Sequence, residues 1–179
     1  GMVFDDTWTS NGEVLPPMSS ASLADIDSDG DLDAFFGLEW GGVDRIALQE
    51  APGRFTHVAL PGSEGAAETG SFADADGDGD LDLLVAQMGS DMHPTEVIAG
   101  KQVGQPNLLY IQDSRGSFVL ENDRLPPEDN IGLTFEGAWL DADGDGDLDL
   151  YEGNAWGSLV VENRLLLNDG TGHFTVSED

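Results

Sequence analysis

Short apolar runs bounded by Gly, Asp or Asn recur along the chain, and no stretch keeps a helical period long enough to compete with them. Three runs, "AFFG" from Ala34, "LLVA" from Leu83 and "LYEG" from Leu150, each follow an aspartate-rich segment. In each case an apolar residue also stands two places before the first Asp: Leu23, Phe72 and Trp139. Further on come "RIALQEAPGRF", "LLYIQDSRGSF" and "RLLLNDGTGHF", which align without gaps and end in Gly-x-Phe at Gly53, Gly116 and Gly172. Rich in aromatic and branched residues, these pieces read as β-strands. The order predicted is strand, Asp loop, strand, connection, strand, tight turn, strand, three times over.

The first loop aspartates fall at 25, 74 and 141, spacings of 49 and 67. Four strands in such a span is the size of a propeller blade. The fold class predicted is all-β, with propeller-type blades of four antiparallel strands and one Asp loop between the first and second strand of each. One domain over 2–179 is expected, with repeat units at about 4–52, 53–115 and 116–171 and with 172–179 as the outer strand closing the last blade. The extra length of the second unit lies mainly in 87–105.

The loops carry the chemistry. In "DADGDGDLD" (141–149), carboxylates at the first, third, fifth and ninth places can converge if the backbone curls, and Gly146 permits the sharp turn. The seventh residue, Asp147, would offer its carbonyl. Hard oxygen donors on a flexible frame favour Ca²⁺ over the smaller, stricter Mg²⁺. Two carboxylates ~4 Å apart repel by about 4 kcal/mol at an effective dielectric near 20. A cation converts that repulsion into binding energy and couples metal uptake to folding. A solvated Asp/Gly turn would not need the same positions kept three times. An EF-hand needs flanking helices and a Glu at the twelfth place, which only the third loop has, at Glu152, against Phe36 and Val85 in the others.

Charge then narrows the partners. With 36 acidic residues against 6 basic ones, the net charge of -30 disfavours nucleic acid and anionic lipid. No run approaches the roughly 20 apolar residues of a membrane span. Cysteine is absent, which removes disulfides and thiolate sites. No signal segment follows "GMVFDD", whose first Gly reads as a scar.

The three nine-residue loops and the "NLLYIQDSRGSF"-type strand–turn–strand resemble the FG-GAP/VCBS repeat family, known from the β-propeller head of integrin α subunits. The likeness runs from Phe4 to Val176 and, lacking a literal Phe-Gly…Gly-Ala-Pro, is nearer the bacterial VCBS type. It implies three calcium sites. The ligands would be Asp25, Asp27, Asp29, Asp31 (carbonyl) and Asp33; Asp74, Asp76, Asp78, Asp80 (carbonyl) and Asp82; and Asp141, Asp143, Asp145, Asp147 (carbonyl) and Asp149. Propellers have four to eight blades, and this chain has three, with "VFDDT" at Phe4 in register with the outer strands. Either the chain belongs to a longer repeat array or copies self-associate, most simply as two chains giving a six-bladed ring.

The function expected is a non-catalytic, calcium-stabilised module for adhesion or for binding a protein or glycan. An extracellular, cell-surface or periplasmic setting is expected, because weak calcium sites fill only at extracellular levels. The alternatives are a lectin-type or carbohydrate-active propeller, lyases included, and a structural spacer of a larger surface protein. His57, His93 and His173 have no partner motif for catalysis. Trp40 and Trp156, each seven residues after a last loop Asp, are candidates for stacking on a ligand or packing between blades, and Lys101 in the 87–105 insertion is a candidate for recognition.

Overall fold

The structure is a computed structural model and describes residues 18–38, 42–88, 104–127, 133–154 and 162–178. Trp40, Trp156, Lys101, His93, the strand expected at Phe4 and most of the 87–105 insertion lie outside the described residues. The first sheet, blade 1, takes β1 (Met18–Ala24), β2 (Asp33–Leu38), β3 (Arg45–Ala51) and β4 (Arg54–Ala59) in chain order. Blade 2 takes β5 (Ala67–Ala73), β6 (Asp82–Gln87), β7 (Leu108–Ser114) and β8 (Ser117–Leu120). Blade 3 takes β9 (Thr134–Leu140), β10 (Asp149–Asn154), β11 (Arg164–Asn168) and β12 (Phe174–Val176). All pairs are antiparallel. Each Asp loop joins the first and second strands of its blade, as expected. The strand after each Gly-x-Phe turn closes the sheet of the three strands before it. The sheets therefore change between β4 and β5 and between β8 and β9, whereas the unit ends expected near 52, 115 and 171 fall in the turns before the fourth strands.

The blades stack in chain order with their first strands, β1, β5 and β9, side by side. Ser22 Oγ donates to the Gly70 carbonyl, Thr69 Oγ1 to that of Phe135 at 3.1 Å, and Trp139 Nε1 to Ser71 Oγ at 3.1 Å. Strand alternation sends successive side chains to opposite faces. Blade 2, covered on both sides, accordingly reads as continuous apolar sequence. Leu83, Val85 and Tyr110 join Phe35 and Ile46 of blade 1 in one core, while Leu84, Leu109 and Ile111 join Leu150, Leu166 and Phe174 of blade 3 in the other. Each such buried side chain contributes about 1.5–3 kcal/mol.

The two seams share one device. Phe35 of β2 packs where Gly70 of β5 leaves room, and a Cβ there would sit 2.4 Å from its ring. Leu84 of β6 meets Gly137 of β9 in the same way, at 2.2 Å from such a Cβ. A large knob from one blade thus enters a glycine gap on the inner strand of the next. Among the described residues no helix is long and apolar enough to cross a membrane.

Candidate metal centre

The ninth aspartate of each loop is wholly buried and straps the loop to the third strand of its blade. Asp33 accepts from the N–H groups of Ile26 at 2.7 Å and Gln49 at 2.8 Å. Asp82 accepts from Ala75 at 2.8 Å and Gln112 at 2.9 Å, and Asp149 from Ala142 at 2.8 Å and Asn168 at 2.9 Å. Both oxygens of each carboxylate are used in this way. Burial pushes the Asp82 carboxyl up to about 6 against the pull of those two N–H groups.

Within the first two loops the chain curls around the early aspartates. Asp25 accepts from the Gly30 N–H at 3.2 Å and Asp74 from that of Gly79 at 3.1 Å, which draws the first residue over the sixth. Gly30 and Gly79 take φ of 95° and 97°, a region open chiefly to glycine. The fourth place also needs positive φ: 76° at Gly77 and 82° at Gly144, but 58° at Ser28, the one non-glycine residue with positive φ among the described residues. Ser28→Gly should therefore stabilise the protein by about 0.5–1 kcal/mol, since the left-handed backbone costs an L side chain roughly 1–2 kcal/mol and added chain entropy offsets part of the gain. Thermal melting in chelator should show a rise of about 1–4 °C; a fall would refute it.

One carboxylate oxygen from each of Asp25, Asp27 and Asp29 lies within 4.8 Å of the other two, and Asp74, Asp76 and Asp78 repeat the set. In the third loop the set is Asp141, Asp143 and Asp149. Of the carboxylate ligands the resemblance implies, Asp33, Asp82 and Asp145 stay outside these triads; Asp31, Asp80 and Asp147 are implied through their carbonyls. Asp145 instead accepts from the Asp147 N–H at 2.9 Å.

The donor sets fit a hard divalent cation. Asp25, Asp27, Asp74 and Asp76 each hold one oxygen, Oδ1, buried and without a hydrogen-bond partner. Such atoms are costly to bury unless something else satisfies them. Desolvation, then the Asp29 and Asp33 charges, raises the pKa of Asp27; desolvation, then Asp78, raises that of Asp76 against the opposing charge of Arg124. The third loop differs: Asp141 to Gly146 are all exposed, and Asp141 accepts from Gly144, three residues on, at 2.8 Å. Glu152 takes no part in it. It is buried in β10, where Arg164 Nη2 at 2.7 Å and Asn107 Nδ2 at 2.7 Å hold it.

Two sets of residues escaped the reading of the sequence. Gln112 Nε2 donates to the carbonyls of Leu81, in its own blade's loop, and Ile26, in the loop of blade 1, at 3.1 and 3.2 Å. Asn168 Nδ2 bridges Leu148 and Ala75 at 3.0 and 2.7 Å in the same way. The signal was present: the fifth residues of the aligned segments are Gln49, Gln112 and Asn168, amides at an otherwise apolar place. Arg124 similarly ties loop to turn, donating to Thr171 O at 2.6 Å with Asp76 at 3.5 Å. His57 lies half-buried beside Arg45, and His173 is exposed, its Nδ1 3.2 Å from Thr171 Oγ1.

No curated protein matches the chain. Residues 25–85 match the family model of the FG-GAP-like repeat, a span that begins at the first aspartate of loop 1 and runs past loop 2 into β6. Over those residues the chain matches the FG-GAP-like repeat, and the same loop and strand order recurs in blade 3 of an all-β, propeller-like fold.

Proposed function

We propose that the chain is a calcium-stabilised, non-catalytic recognition module that works where calcium is plentiful, outside the cytoplasm, and binds a protein or glycan. The observation that carries this reading is the set of partnerless buried carboxylate oxygens on Asp25, Asp27, Asp74 and Asp76. The aspartates would hold Ca²⁺ through those oxygens, and the ion would supply charge neutralisation that lets the loops stay curled. The strapped ninth aspartates transmit that closure to β3, β7 and β11. Trp40, Trp156 and Lys101 are the residues we assign to ligand contact.

Titrating Ca²⁺ into chelated protein by calorimetry, with thermal melts alongside, tests the reading. Each site filled to 100 times its dissociation constant adds about 2.7 kcal/mol, or a rise of about 5–10 °C for a chain of this size. Mg²⁺ should act more weakly at equal concentration. Absence of both binding heat and thermal shift would end the reading.

A further inference from the structure

The seams between blades carry two repeated contacts, and each is left half-made at the ends of the chain's described sheets. The first is the knob: Phe35 and Leu84 are buried against Gly70 and Gly137, whereas their equivalent in blade 3, Tyr151, is 40% exposed. The place on β1 equivalent to Gly70 and Gly137 is Ala21, which is exposed and carries a Cβ where the two seams have none, beside Leu23 at 67% exposure. Phe72 and Trp139, the counterparts of Leu23, both pack against the preceding blade.

The second contact is the amide staple. The second residue of loop 1, Ile26, and of loop 2, Ala75, are 1% and 2% exposed, and each carbonyl takes a side-chain amide from the following blade. Ala142, the same place in loop 3, is exposed, and no such amide reaches it among the described residues. Conversely, Gln49 on β3 holds the place of Gln112 and shares its contact with the turn, though not its bond to the loop carbonyl of its own blade. Its Oε1 accepts from Gly53 N–H as that of Gln112 does from Gly116, yet its Nε2 has no acceptor among the described residues. The unstapled loop is also the one whose first three aspartates are all exposed and whose first residue caps Gly144 instead of the sixth place.

We propose that Gln49 of a second copy of this chain staples the third Asp loop, so that Ca²⁺ uptake there and head-to-tail association of two chains favour one another. The joining face would repeat the amide staple, with Gln49 reaching the Ala142 carbonyl, while Tyr151 would pack over Ala21 and Leu23 at the greater spacing that the Ala21 Cβ requires. Two copies joined in this way would bring six of the described sheets into one array. Linkage makes the effect reciprocal: if the partner's amide tightens the third site, Ca²⁺ at that site tightens association by the same factor. Gln49 is a positioning residue, since it orders the loop backbone and contributes no ligand to the ion.

The inference rests on the calcium reading of the loops, and the test separates the two. Sedimentation with and without millimolar Ca²⁺ should show the mass move from one chain toward two. Calorimetry with Ca²⁺ at low and high protein concentration should show the third site tighten, roughly tenfold, only at high concentration. Gln49→Ala should lose the calcium-dependent mass change and keep the two tighter sites, whereas Gln49→Asn, with the amide found at Asn168, should retain it. The pair Asp141→Asn and Asp143→Asn should weaken association from the other side, which keeps the test sound even if Gln49→Ala folds poorly. Calcium binding to a chain that stays single, with site affinities independent of concentration, overturns the association and leaves the calcium reading intact. Absence of calcium binding overturns both.

Discussion

Asp82→Ala should cost about 3–5 kcal/mol of stability even in chelator. The change strands two N–H groups, those of Ala75 and Gln112, at a fully buried site. Each stranded group costs about 1–3 kcal/mol, and bonds to a charged acceptor lie at the upper end. Domains hold together by about 5–15 kcal/mol in total, so this one side chain accounts for a large part of the fold's margin. Asp82→Asn keeps one acceptor oxygen and turns an NH₂ toward the other N–H, so it should fall between wild type and alanine. Urea unfolding in chelator is the decisive measurement, because it removes any share Asp82 has in holding an ion. An unchanged midpoint for the alanine variant would show that the strap is unimportant.

That strap shows what the sequence could and could not convey. The loops, the strands flanking them and the Gly-x-Phe turns were legible because each rests on local chemistry: Gly for positive φ, alternation for strands, crowded carboxylates for a cation. The partition into sheets was harder. A strand following a tight turn can pair backward or forward along the chain, and only the hydrogen-bonded register of Arg45–Ala51 with Arg54–Ala59 assigns β4 to blade 1. Spacing brought the ninth aspartate to the loop, but it could not show that the same carboxylate also accepts from two backbone amides, as Asp149 does while standing with Asp141 and Asp143. The staples of Gln112 and Asn168 join residues 86 and 93 positions apart, a distance at which local patterns are silent. The amide recurring at one place of three aligned segments was nonetheless a visible clue.

The place just before the third strand carries an acid in blade 1 where blades 2 and 3 carry an amide. Asn107 and Asn163 stand just before the third strands of blades 2 and 3, and each accepts from the N–H at the end of the second strand, of Gln87 at 3.0 Å and of Asn154 at 2.9 Å. Asp44 does the same for Leu38 at 2.8 Å in blade 1, but it is fully buried and its Oδ2 has no hydrogen-bond partner. Its own N–H donates to Ser63 Oγ at 2.7 Å, and Glu64 and Tyr110 are the titratable groups facing it. Burial raises its pKa from 3.8 to about 7, with the Leu38 N–H pulling the other way and Glu64 adding to the rise. The folded state therefore keeps a proton that the unfolded chain releases near pH 4. Stability is lost as pH rises through the window from about 4 to 7, and above it the full penalty, about 4 kcal/mol, is in force. Asp44→Asn removes the ionisation and leaves the bond to Leu38 in place. The variant should match wild type within about 1 kcal/mol at pH 4 and exceed it by roughly 2–4 kcal/mol at pH 8. Other carboxylates titrate over the same range, so the quantity to follow is the difference between the two proteins' urea midpoints, measured in chelator from pH 4 to 8. A difference that stays flat across that range would mean Asp44 is ionised in the folded protein at acid pH, and that burial does not govern it.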